Sequence, residues 1–333
     1  MRIGLIADTH EVREPLSLIA RLGAIGCQRN VHLGDIAGSW AITEMVRRFK
    51  REDNLDALSE AQKQRYAEHR GAGLSPVAAY IEAFLGDDVH LRGKRKAEIE
   101  KGYSQVAAAM RRLPGAVLLA GNVDNVLLRV PGNRAALERQ GVHLLATPEV
   151  LEDKEVAILA WPSSRHCEIA DLPRLCQKAT QLAVEKGALV VLAHEQLFRG
   201  PTPASYRANA AERGWRPTTI PHFEPNPSWP VLLDLFRSLP ASVLVSYVSG
   251  HVHDPQEVLQ AGARYLKGTV LDGMVCRLWG FGGSADAGRL RGRGRRLLRH
   301  FHVPAGRVAV LNVEATRTRL TLMPPLRPTD ESG

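Results

Sequence analysis

RIGLIADTH, residues 2–10, is a short apolar run that stops on an aspartate, with a histidine two residues later. The run reads as a buried strand, and the polar residues come where the strand should end. The same event recurs along the chain. VHLGD (31–35) ends in Asp35, AVLLAGN (116–122) in Asn122, ALVVLAH (188–194) in His194, and VLVSYVSGHVH (243–253) in His251 and His253. Five strand ends thus deliver carboxylate, amide or imidazole groups. In an open α/β sheet ligands sit outside the carboxyl ends of the strands, so these groups are placed to meet. Gly34, Gly121 and Gly250 precede Asp35, Asn122 and His251, which suits turns that let the backbone approach a bound ion.

Each group alone has an ordinary explanation. Asp8 and Thr9 could cap a helix beginning near Pro15, Asp35 and Asn122 could be turn residues, and His194 could be a satisfied core histidine. These explanations are independent, and all of them would have to coincide. A shared metal site accounts for all five strand ends at once.

Between the runs lie helix-like segments, the pattern of an α/β fold. Strands are expected over Arg2–Ala7, Val31–Leu33, Ala116–Ala120, Val156–Ala160, Ala188–Ala193, Val243–Val248 and Val308–Val313. The polar, helix-favouring stretch 41–112 is too long for an ordinary connection and is read as an inserted helical cap, leaving 1–40 and 113–333 as the core. The connection 197–230 carries seven prolines and reads as a long ordered loop, since proline interrupts a helix.

At 333 residues, with 44% hydrophobic and 24% charged residues, the chain has the composition of a globular protein able to bury a large core. No run of about 18 apolar residues suggests a membrane span. No secretory signal is evident at the start, and the four cysteines lack CxxC spacing, so the cytoplasm is the expected compartment. The net charge of +9 favours anionic partners. Its densest run is RLRGRGRRLLRH (289–300), read first as a solvated, mobile loop and second as a polyanion clamp. It lacks the interleaved aromatics of a single-strand binder.

The blocks Asp8-Thr9-His10, Gly34-Asp35, Gly121-Asn122-Val123-Asp124, His194 and Gly250-His251-Val252-His253 resemble, in that order, the calcineurin-like metallophosphoesterase superfamily. The resemblance runs from residue 3 to 253. It implies a four-layer α-β-β-α sandwich of two mixed sheets with a dinuclear centre at its rim. Carried over residue by residue, it implies Asp8, His10, Asp35 and His253 on one ion and Asp35, Asn122, His194 and His251 on the other, with Asp35 bridging.

The expected chemistry follows from charge. Two divalent ions outweigh the negative charges of Asp8 and Asp35, because His and Asn coordinate as neutral groups. A hydroxide bridging ions about 3.5–4 Å apart is a nucleophile near neutral pH, and the ions stabilise charge on a phosphoryl group during attack. Oxygen and imidazole donors without thiolate suit Mn, Fe, Co or Zn, with Mn the first choice for assay.

One position departs from the family pattern. Where the family has His after the Asn, this chain has Val123, which can neither contact phosphate nor protonate a leaving group, and Asp124 loses its usual partner. General acid catalysis contributes roughly 10²–10⁴-fold. Hydrolysis of a phosphodiester or phosphoanhydride is therefore expected ahead of efficient monoester hydrolysis, unless His69, His90, His166 or His222 substitutes. Arg165, His166 and Arg199 are candidates for holding substrate. Two other readings are a nucleic-acid-binding nuclease, whose affinity would fall steeply with salt, and a non-catalytic scaffold with the same fold.

Overall fold

The computed structural model describes residues 1–11, 14–36, 55, 58–74, 76–85, 89–124, 133–163, 172–195, 198–199, 224–225, 229–240, 242–250, 274–277, 297–303, 306–314 and 317–324. Strand β1 (Arg2–Ile6) is central to the first sheet. It pairs in parallel with β2 (Arg29–His32), which pairs in parallel with β3 (Ala116–Leu119), and β3 with β4 (His143–Leu145). On its other side β1 pairs antiparallel with β13 (Ala309–Val313), and β13 with β14 (Thr318–Leu322). The register sets Leu5 between Val31 and Ala309.

A second six-stranded sheet runs β11 (Met274–Arg277), β12 (Leu297–His302), β10 (Leu244–Ser249), β7 (Ala188–Ala193), β6 (Ala157–Trp161) and β5 (Glu149–Leu151). Its four inner strands are mutually parallel, and its two edge strands are antiparallel. Both sheets are therefore mixed, as the resemblance implied.

Side-chain alternation decides the layers. In β1 and just after it, Ile3, Leu5 and Ala7 face the second sheet, where they join Val190, Leu192 and Val248 in one buried cluster. Ile6 points the other way. It joins Leu118 and residues of helices α1 (Pro15–Ala24), α3 (Pro76–Leu85), α4 (Val89–Arg111) and α5 (Asn133–Arg139). The outer face of the second sheet, with Leu159, Val191 and Tyr247, is covered by α6 (Leu172–Lys186) and α7 (Trp229–Ser238). The order is helix, sheet, sheet, helix. Covering each sheet on both faces is what makes its strands read as unbroken apolar runs.

Helix α1 starts with Pro15 in its first turn and buries Leu18, Ile19 and Leu22 on one face. Its N-cap position is Glu14, with no side-chain cap, so Asp8 and Thr9 do not cap it; Thr9 opens a separate 3-10 turn that runs to Glu11. In the stretch 41–112, α2 (Glu60–Gly71) begins with a Ser59–Gln62 capping box. Helix α4 places Ile99, Tyr103, Val106, Ala107 and Met110 in the same cluster as α1 and β3.

All seven expected strands are present, with ends shifted by no more than two residues. The expectation for the Arg-rich run needs correction, because its end is not a loop: Leu297–His302 is a strand held between β10 and β11. The prolines of 197–230 also mislead at one end. Pro230 lies in the first turn of α7, where a proline lacks no hydrogen bond. Within that connection Phe198–Arg199 (β8) pairs antiparallel with Glu224–Pro225 (β9).

Candidate metal centre

The ends of β1, β2, β3 and β7 meet at one rim of the two sheets. Asp8 N donates to Gly34 O (3.0 Å) and His10 N to Asp35 O (3.3 Å), which lays the turn after β1 along the turn after β2. Gly250 N donates to His194 O (3.1 Å), continuing the pairing of β10 with β7. The two sheets touch here. His194, from the second sheet, sets Nδ1 3.0 Å from Leu33 O of the first, and a Cβ on Gly250 would come within 3.0 Å of Asp8 Oδ2.

Of the seven expected ligands, Asp8, His10, Asp35, Asn122 and His194 are brought together and buried. One donor atom each from Asp8, His10 and Asp35 lie within 4.8 Å of one another. His10 Nε2 is 3.6 Å from Asp35 Oδ2, and His194 Nε2 is 3.7 Å from Asp35 Oδ1 and 3.0 Å from Asn122 Oδ1. Asp35 thus faces a histidine on either side. His251, His253, Arg165 and His166 lie outside the described residues, as do the side chain of Arg199 and residue 222.

Whether these donors fit a cation is decided by their own chemistry. Leu33 O can only accept, so His194 Nδ1–H donates to it, and Nε2 faces the oxygens of Asn122 and Asp35. A bare ring nitrogen there would face acceptor oxygens, so Nε2 suits either a proton or a bound cation. Four carboxylates, Asp8, Asp35, Asp124 and Glu195, are buried, yet no Lys or Arg is buried among the described residues. Burial alone would lower the pKa of His194, but the carboxylates of Asp35, Asp8, Glu195 and Asp124 together hold it above its ordinary 6.5. The site therefore demands positive charge, and the oxygen and imidazole donors fit divalent ions.

Backbone strain marks the same two turns. Asp8 (φ 53°) and Asp35 (φ 52°) are the described non-glycine residues in the left-handed region, a conformation costing of order 1–3 kcal/mol. Gly34 has φ 111°, and a Cβ there would come within 2.5 Å of His194 Nδ1 and 2.8 Å of Gly121 N. A Cβ on Gly121 would overlap Asp35 itself.

Residues not singled out by the motif hold these turns. His32 receives the Gly34 N–H on Nδ1 (3.2 Å) and so donates from Nε2 to Thr9 Oγ1 (2.7 Å), while Thr9 donates to the Ile36 carbonyl. Burial pushes the His32 pKa down to about 3 against the opposing pull of Asp8 and Asp35, so the ring is neutral. Val123 N donates to Asp35 Oδ1 (2.8 Å). Asp124 accepts from Gly121 N (2.8 Å), from Ile36 N (3.1 Å to each oxygen) and from Tyr103 Oη (2.6 Å). Beyond His194, Tyr247 Oη donates to Glu195 O (2.7 Å) and Ser163 Oγ to Glu195 Oε1 (2.8 Å). The histidine inside VHLGD was a signal available in the sequence. Tyr103 gave none, being one apolar position of a helix like its neighbours.

The Val123 side chain is buried in the apolar cluster that holds Ile36, Ile81, Leu85 and Tyr103.

No protein-family model and no curated protein matches this sequence. Among solved structures, the chain is similar to a dimetal phosphatase from Danio rerio, at 12% identity and a TM-score of 0.41, covering 97% of this chain and 95% of that one. It is also similar to an archaeal phosphodiesterase, at 10% identity and a TM-score of 0.31, covering 97% and 100%.

Proposed function

We propose that this protein is a metal-dependent phosphoric ester hydrolase that acts on phosphodiesters or phosphoanhydrides. The observation that carries the reading is the convergence of Asp8, His10, Asp35, Asn122 and His194 on one buried rim with no buried Lys or Arg among the described residues. Asp8, His10 and Asp35, with His253, would hold one divalent ion; Asp35, Asn122 and His194, with His251, would hold the second. Bound there, such a pair supplies an activated water and stabilises the charge of a phosphoryl group under attack.

The chain's own groups set the rest. Asp35 is held by the Val123 N–H and faces both histidines, which supports a role for it on both ions. His194 must give up its Nε2 proton on loading, and its Nδ1–H stays fixed by Leu33 O. Val123 offers no proton to a leaving group, so substrates with good leaving groups are favoured. Residues 41–112 follow Asp35 and the 197–230 connection follows His194, and both are proposed to shape the substrate side, with Arg165, His166 and Arg199 as anion-binding candidates. Manganese is the ion of choice for assay. Free Cys27 and Cys176 suit a reducing compartment such as the cytoplasm, and no described helix is long and apolar enough to cross a membrane.

The test is turnover of an aryl phosphodiester against the matching monoester with Mn(II), in wild type and Asp35→Asn. Preference for the diester and loss of both Mn(II) binding and turnover in the variant are expected. A strong monoester preference, or an unchanged rate in Asp35→Asn, overturns the reading.

A further inference from the structure

We infer that Tyr103 is a positioning residue of the metal centre, acting through Asp124 to fix the distance between the turn that carries Asp35 and the turn that carries Asn122. The inference rests on the reading of this rim as a metal site. Asp124 is fully buried and receives hydrogen bonds from three directions. Gly121 N belongs to the turn before Asn122, Ile36 N to the residue after Asp35, and Tyr103 Oη to helix α4, which belongs to neither turn. One carboxylate thus ties both ligand turns to each other and to a helix.

The helix is the fixed point. Tyr103 is wholly buried, and its neighbours one turn away on α4, Ile99 and Ala107, are buried with it against α1 and the first sheet. A phenol locked by such packing has one place for its oxygen, 2.6 Å from Asp124 Oδ1. That contact orients the carboxylate plane, which in turn sets where both Oδ atoms meet Gly121 N and Ile36 N. Asp35 and Asn122 are expected to share the second ion, so a small rotation of Asp124 changes the separation of two ligands of one site. The motif position that holds a histidine in the resembled family is Val123 here, and its side chain is turned into the same apolar cluster. Position 123 gives Asp124 no imidazole to orient; among the described residues its side-chain partner comes from helix α4, within the stretch 41–112, so that stretch reaches the metal centre from behind.

Outer-shell partners of this kind typically alter metal affinity 10–100-fold. The experiment is Mn(II) titration by calorimetry, with the electron paramagnetic resonance spectrum of the loaded protein, on the full chain. Wild type is compared with Tyr103→Phe, Asp124→Asn, the double variant and Val106→Ala. Tyr103→Phe keeps the ring and removes only the hydroxyl. Expected results are a folded protein with at least one Mn(II) site weakened about tenfold or more, a reduced spin-coupled pair signal, and a double variant no weaker than Asp124→Asn alone. Val106→Ala, a core change on the same helix with no polar link, lowers the melting temperature but leaves Mn(II) affinity and the pair signal unchanged. Wild-type affinity and pair signal in a folded Tyr103→Phe overturn the positioning role while the metal site stands. Equal losses in Val106→Ala and Tyr103→Phe overturn it as well, in favour of general packing. Failure of wild type to bind Mn(II) overturns both this role and the functional reading beneath it.

Discussion

His194 Nε2 lies 3.7 Å from Asp35 Oδ1, an imidazole at the end of a strand of one sheet against a carboxylate at the end of a strand of the other. Only the face-to-face stacking of the two sheets creates this pair, since 158 residues of chain separate the two positions (194 less 35, less one). In the absence of another cation the pair is held together by a proton on the ring, whose pKa the neighbouring carboxylates raise against the opposing effect of burial.

Protons and metal ions should therefore compete for His194. Mn(II) affinity is expected to fall about tenfold per pH unit once the pH drops below the raised pKa of His194, because each ion must displace that proton. Calorimetric titrations in buffers of different ionisation heat count the proton released. Binding without proton release across the range around and above pH 6.5 would show that the ring is already neutral.

His32 gives a stability prediction with a definite sign. Its pKa is depressed from 6.5 to about 3 in the folded protein, so its contribution is complete above about pH 6.5 and is lost as pH falls toward 3, with a slope of at most about 1.4 kcal/mol per pH unit. Asp124 works oppositely. Its pKa is raised to about 7, chiefly by burial and by Asp35, so its effect is complete below about 3.8 and is lost as pH rises through 7, which flattens the wild-type profile. Urea denaturation of chelated wild type and His32→Gln between pH 4.5 and 6.5 isolates the His32 share. A difference between the two that does not change with pH would refute it.

Val123→His should not restore a general acid. The side chain enters an apolar cluster with Ile36, Ile81 and Leu85, where an imidazole costs about 1–3 kcal/mol. A lowered melting temperature with no gain in aryl monoester turnover is expected; a gain of tenfold or more would show that position 123 reaches the substrate.

Gly34 and Gly187 both have positive φ, at 111° and 71°, but only Gly34 has neighbours in the way of a Cβ. Gly187→Ala should cost about 1 kcal/mol and leave Mn(II) binding intact. Gly34→Ala drives a methyl against His194 and Gly121, so it should cost more than that and lose Mn(II) binding. Equal costs with metal binding retained in both would mean that the rim tolerates a wider turn.

The local chemistry of this protein was written in the sequence wherever one short segment contained the whole signal. Apolar runs buried on both faces declared the seven strands, and polar residues just past five of them named the rim. Edge strands such as Glu149–Leu151 and Thr318–Leu322 escaped because three to five residues of mixed polarity carry no clear period. Leu297–His302 escaped because it closes a run, 289–300, dominated by arginines and broken by glycines, although parallel pairing with β10 makes it a strand. What no segment could announce is how the turns are held. The Tyr103–Asp124 contact and the His32–Thr9 bridge join residues 21 and 23 positions apart. His194 and Leu33 meet across 161. Residue identity fixed which groups can bind a cation; only the stacking of two sheets under a buried helix fixed their spacing, because distances between side chains far apart in the chain arise from packing and leave no local pattern.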